Sequence, residues 1–150
     1  MQTDSTSVIR VVLLREGARL PLRATSGSTG YDIYACLPDG EEEIIVGPDP
    51  TLIPTGIALE FPPTLDVQVR PRSGLSSRGV MGTVGTIDSD YRGEVFVTLY
   101  TVGNRPPHVA RSGDRIAQLI VGLRADVSLE IAESLGDTER GGGGHGSTGS

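Results

Sequence analysis

A chain of 150 residues with 21 Gly, 10 Pro, no Trp and a net charge of −6 has the length of one domain with its own core. Its apolar content is carried by Val, Ile and Leu among frequent turn formers, which favours many short strands over a helical bundle, and its negative balance opposes a general nucleic-acid or acidic-membrane binder. All 13 basic residues are Arg, excluding the lysine-dependent phosphate loop, and the single Cys36 excludes an intrachain disulfide and zinc sites of the paired-cysteine type.

From the N-terminus, no basic leader precedes the apolar run 8–14. Arg10 interrupts that run and it is too short to span a bilayer, so a soluble, cytoplasmic protein is expected. Residues 8–14, 31–35 and 43–46 read as strands, with Glu41, Glu42 and Glu43 as a solvated acidic turn and Cys36 as a small core residue. Ile57, Leu59 and Phe61 alternate with Gly56, Ala58 and Glu60, and Leu65, Val67 and Val69 alternate with Asp66, Gln68 and Arg70, the period of half-buried strands. After Pro71, residues 73–77 allow one or two helical turns with Ser73 near the start. Arg72, Ser73 and Gly74 are either a plain turn or a phosphate grip in which guanidinium, hydroxyl and free amides converge.

The run 85–94 places Asp88, Asp90, Tyr91 and two glycines between the strand-like region 80–84 and a strong strand at 95–100, and reads as a tight β-hairpin. Its polar residues fall where backbone and side chains can face one ligand. Strand 115–121 carries Gln118 on the face of Ile116 and Ile120, where a polar side chain requires a partner: a subunit interface or a ligand. Val127, Leu129 and Ile131 alternate as a last half-buried strand. The final ten residues hold six glycines and no aliphatic side chain, either a solvated terminus or, with Arg140, Ser147 and Thr148, a segment able to wrap a phosphate. His108 and His145 stand far apart without ligand-like spacing, and the chain is expected to have no metal centre of its own.

Five segments, 30–35, 71–75, 85–94, 113–119 and 140–149, resemble the five ordered motifs of the trimeric dUTPase family, in that family's order and nearly at its spacing. The resemblance implies an all-β, jelly-roll-like sandwich or barrel subunit, residues 1–136, in a homotrimer with shared active sites. A flexible glycine-rich arm, 137–150, would close over each site. The implied reaction is hydrolysis of dUTP to dUMP and pyrophosphate, keeping uracil out of DNA and supplying dUMP for thymidylate synthesis.

Asp88 matches the family's general base, and Asp32 would support the water shell of Mg2+ held mainly by substrate phosphates and water rather than by direct protein ligands. Arg72, Ser73, Gly74, Gln118, Arg140, Ser147 and Thr148 match its phosphate contacts, with Gly146 beside them in the arm. Gly82, Thr83, Val84, Gly85, Thr86 and Ile87 would read uracil through backbone groups, with close walls excluding the thymine methyl. Tyr91 would lie against the deoxyribose and leave no space for a 2′-hydroxyl.

His145 departs from the pattern, standing where the family most often has Phe to stack on uracil. Imidazole still stacks, and its smaller apolar face is expected to weaken closure by about 1 kcal/mol and make it pH-sensitive. Equal substrate affinity of a His145→Phe variant across neutral pH would contradict that. The dCTP deaminases share the fold but need a catalytic Glu where this chain has Thr98. A silent nucleotide-binding relative is opposed by the joint presence of Asp88, Tyr91, Arg72, Gln118 and Arg140.

Overall fold

The computed structural model describes residues 6–146, and their regular structure is ten strands and one short helix. In chain order these are β1 (Arg10–Leu13), β2 (Tyr31–Tyr34), β3 (Ile44–Val46), β4 (Thr51–Glu60), β5 (Leu65–Arg70), α1 (Ser73–Ser76), β6 (Val80–Gly82), β7 (Gly85–Ile87), β8 (Glu94–Thr101), β9 (His108–Ala110) and β10 (Arg115–Leu123). One sheet has the order β1-β4-β8-β6, a second β2-β10-β5-β7, and β3 and β9 form a ribbon, all with antiparallel pairing. This is the all-β, jelly-roll-like sandwich expected from the strand periodicity.

The core follows from alternation. Val95, Val97 and Leu99 of β8 are buried, as are Leu65, Val67 and Val69 of β5, while Asp66, Gln68 and Arg70 turn outward. Ile33, Ile53, Ile57 and Ile116 complete the middle of the sandwich. No helix among the described residues is long and apolar enough to cross a membrane.

Four expectations need correction. β4 is not half-buried: residues 53–59 are all buried, because the chain at 14–18 and Cys36 cover its outer face. Gly56 makes this possible with φ +70°, since an added Cβ would lie 2.9 Å from Ala18 Cβ and 3.2 Å from Cys36 Cβ. Residues 127–131 form no strand, and Val127, Leu129 and Ile131 are 75%, 93% and 105% exposed, because none of the described residues covers them.

The run 85–94 is not a tight hairpin. β6 and β8 pair with each other, whereas β7 crosses to the other sheet and pairs with β5, Val69 opposite Gly85 and Val67 opposite Ile87, as Ile87 packs on the core. Finally, β9 was absent from the expected strands. Three residues after two prolines carry no periodic signal, and only pairing with β3 makes them a strand.

Candidate active site

Two groups of the expected residues assemble, at opposite ends of β5. The first lies beside β7. A cavity of about 270 Å³ is lined by Val69, Gly85, Thr86, Ile87, Asp88, Tyr91, Glu94, Val95 and Phe96. Asp88 is exposed at its rim, and its carboxylate has no hydrogen-bond or ion-pair partner among the described residues. A turn holds it there, with Tyr91 N–H donating to Asp88 O at 3.0 Å.

The Tyr91 hydroxyl donates to Glu94 O at 2.8 Å, and the ring lies over Gly93, where an added Cβ would come within 2.5 Å of the phenol oxygen. Glu94 is anchored in turn by Arg15, whose guanidinium makes two hydrogen bonds to the carboxylate and donates to Cys36 O at 3.0 Å. The hydrogen bond to Glu94 raises the Arg15 pKa above its ordinary value. Both β6 and β7 are outer strands of their sheets. The backbone from Gly82 through the exposed Thr83 and Val84 to Gly85, Thr86 and Ile87 therefore runs along an edge with unpaired donors and acceptors on one side. Thr83 N–H itself is taken by Thr98 O at 3.2 Å.

The second group surrounds Asp32 on β2. Register sets Asp32 opposite Gln118 and Gln118 opposite Arg70, so three motifs distant in sequence meet on adjacent strands. Asp32 Oδ1 lies 3.6 Å from Arg72 Nε and Oδ2 lies 3.5 Å from Arg115 NH1. Gln118 Nε2 donates to Pro71 O at 3.0 Å, and its side chain passes so close to Gly30 that an added Cβ there would lie 2.2 Å from Oε1.

Arg72 stands at the N-cap of α1, where Ser73 and Gly74 are exposed and Ser76 is the first helical N–H to find a carbonyl, Arg72 O at 3.1 Å. The amides at the start of the helix have no intrahelical acceptor. Arg115 was not among the expected site residues. Its role depends on the β2–β10 pairing, which no local pattern reveals.

These two groups do not meet within one chain. Asp88 follows the residue paired with Val67 and Arg72 follows the far end of β5. At about 3.3 Å per residue that places them roughly 20 Å apart along the strand. Arg140, His145 and Gly146 are exposed and join neither group, and the Arg140 Nε–H donates to Gly143 O at 2.7 Å within its own turn. Ser147 and Thr148 lie outside the described residues.

No three His, Cys, Asp or Glu side chains gather as a metal site among the described residues. Asp32, flanked by two guanidiniums, suits a carboxylate that accepts hydrogen bonds from metal-bound water better than a direct ligand.

The dUTPase family model matches residues 16–149. The deoxyuridine 5′-triphosphate nucleotidohydrolase of Treponema denticola is 46% identical over 140 residues, covering 91% of this chain and 94% of the relative. That of an Anaeromyxobacter species is 48% identical over 134 residues, 87% of each chain.

Among solved structures, the chain is similar to a mutant Staphylococcus bacteriophage 80alpha dUTPase with dUpNHpp, with a TM-score of 0.79 at 25% identity over 97% of this chain and 100% of that one. It also shares its fold with a mutant dUTPase from phage phi11 of S. aureus, a protein described with a structural Mg(II) ion, with a TM-score of 0.73 at 23% identity over 85% of this chain and 97% of that one. With the motif residues gathered by strand register and the family model spanning nearly the whole chain, the protein belongs to the dUTPase family.

Proposed function

We propose that this protein hydrolyses dUTP to dUMP and pyrophosphate, keeping uracil out of DNA and supplying dUMP for thymidylate synthesis. The observation that carries this reading is the unpartnered Asp88 carboxylate at the rim of a cavity bounded by Tyr91 and the open edge of β7. A uracil ring placed along that edge is read by fixed backbone donors and acceptors, a pattern that cytosine mismatches. Tyr91, held over Gly93, closes the sugar side against a 2′-hydroxyl. Asp88 takes a proton from water as it attacks the α-phosphorus in line with the departing pyrophosphate.

Phosphate oxygens are met by Arg72, Gln118 and the amides of Ser73 and Gly74, donors aimed where negative charge shifts during the reaction. Mg2+ carried by the triphosphate would supply charge neutralisation when bound, and Asp32 is the residue that would hold its water shell.

A homotrimer reconciles the two separated groups. In one protomer Asp88 and Arg72 lie at opposite ends of β5, so a complete site takes one group from each of two neighbouring copies. The exposed Val127, Leu129 and Ile131 fit the same reading, since an alternating apolar segment becomes a buried strand once a neighbour's sheet edge receives it. Residues 137–150 then act as the arm that brings Arg140, His145, Gly146, Ser147 and Thr148 over a site, with His145 stacking on the base.

The test is pyrophosphate release from dUTP, dCTP, dTTP and UTP with Mg2+. Rapid release from dUTP alone is expected, with a loss on the order of 10² to 10⁴ in kcat for Asp88→Asn. Turnover of dCTP, or an unimpaired Asp88→Asn enzyme, would refute it.

A further inference from the structure

A second polar cavity of about 270 Å³ opens between the end of α1, β9 and the start of β10, lined by Arg72, Arg78, Arg115, His108 and Asp114 over a floor of Leu75 and Ile116. Three guanidiniums in a cavity of a chain with net charge −6 are a local inversion of the protein's field. Arg72 and Arg115 turn their other side to Asp32. Arg78 has no such neutralisation. Its guanidinium makes no hydrogen bond and no ion pair among the described residues.

The backbone of Arg78 is nonetheless fixed. Its N–H donates to Leu75 O at 3.0 Å and its carbonyl accepts from Arg105 NH1 at 2.7 Å. Gly79, at φ +79°, sits where an added Cβ would lie 3.0 Å from Val102 O. A fixed backbone thus presents an uncommitted cation to the cavity.

His108 stands half-buried on β9, opposite Val46 of β3. The charges facing it are Arg105 from the preceding loop, Arg78 beyond α1 and Asp114 from the turn before β10. Asp114 Oδ2 is already engaged by the Arg111 N–H at 2.8 Å. Burial, together with Arg105 and Arg78, lowers the His108 pKa against the opposing pull of Asp114, a balance that an added negative charge in the cavity would shift upward.

We infer that this cavity is a phosphoanion subsite with Arg78 and His108 as its own ligands, receiving pyrophosphate as it leaves the Asp32 group. The choice of pyrophosphate rests on the proposed hydrolysis; the anion chemistry rests on the cavity alone. Because Arg72 and Arg115 border both the Asp32 group and the cavity, and Arg72 NH1 donates to Arg115 O at 3.2 Å, the two sites share one pair of linked arginines.

The experiment is calorimetric titration of inorganic pyrophosphate into the full chain, wild type, Arg78→Gln and His108→Asn, at pH 7.5 and 6.0. Steady-state dUTP turnover of the same variants runs in parallel. Arg78→Gln is expected to weaken pyrophosphate binding about tenfold, the loss of one charge-assisted contact, while kcat/KM for dUTP stays within about twofold. Wild-type affinity should rise at the lower pH by more than that of His108→Asn, a comparison in which the probe's own titration cancels.

Equal pyrophosphate affinity in wild type and Arg78→Gln would reduce the cavity to a solvated arginine cluster and overturn the inference. A parallel rise in KM for dUTP in Arg78→Gln would overturn it in favour of an ordinary triphosphate contact. Absence of dUTP turnover in the wild type would refute the hydrolase reading alone, since the calorimetry still tests the cavity.

Discussion

At Gly30 one methyl group decides where a glutamine can lie. The atoms an alanine would meet belong to the Gln118 side chain, at 2.2 Å from Oε1 and 3.0 Å from Cβ and Cδ, rather than to backbone, so the chain accommodates the change by moving Gln118 off Pro71 O. Gly30→Ala is therefore expected to raise KM for dUTP about tenfold through a displaced phosphate donor, with melting nearly unchanged. Steady-state kinetics beside a thermal melt checks this, and a large fall in melting temperature with unchanged KM would contradict it.

His108 supplies a prediction of the opposite kind, in stability rather than binding. Its pKa in the fold lies below the ordinary 6.5, so the unfolded chain binds the proton more readily. Stability should be level above about that pH and decline as pH falls through 6.5 toward the folded value, with a shallower acid limb in His108→Asn. Denaturant unfolding across pH 5 to 8 reads both. Asp88, Tyr91, Arg72 and Gln118 were legible as candidates because each stands in a short motif that resembles the family's. Arg115 and Arg78 were not, because what they face is set by strand pairing and by a loop, neither of which leaves a local trace.

Among the elements, β4 shows why alternation alone misjudges burial. Period two identified the strand at 57–61, but a strand between β1 and β8 whose outer face is covered by residues 14–18 has no solvent side. Only small residues fit against that cover. Gly56→Ala sets a side chain at φ +70° and 2.9 Å from Ala18 Cβ, and is expected to destabilise the protein by about 1 to 3 kcal/mol. A chemical denaturation midpoint unchanged from wild type would contradict that account.

The loop 88–93 teaches a related point. Turn chemistry located it correctly, yet whether β7 returned to β8 or crossed to β5 was a question of partner choice between sheets. That choice settles what the site is made of. By leaving β8, β7 opens its own edge beside Asp88 instead of spending its backbone groups on a hairpin.

For the whole molecule, the apolar positions that found no cover are as informative as the core. Replacing Leu129 and Ile131 together with Asp removes little packing among the described residues, since they are 93% and 105% exposed. On the proposed trimer, the pair is expected to leave the fold's far-ultraviolet signature intact while shifting sedimentation from trimer to monomer and abolishing dUTP turnover. Retained trimer with retained activity would show that the segment has no partner. The alternation at 127–131 reads as a strand that the protomer does not form, because periodicity records that a face is to be buried and says nothing of which chain buries it.

The distance between Asp88 and Arg72 along β5 also bears on inheritance. If every working site draws on two chains, two separately dead alleles complement each other. Mixed refolding of Asp88→Asn and Arg72→Gln chains in equal amounts should restore about one quarter of the sites, since a site is whole when an intact Asp88 faces an intact Arg72 across the interface. Either chain by itself would remain inactive, and a mixture equally inactive would mean that each protomer works alone.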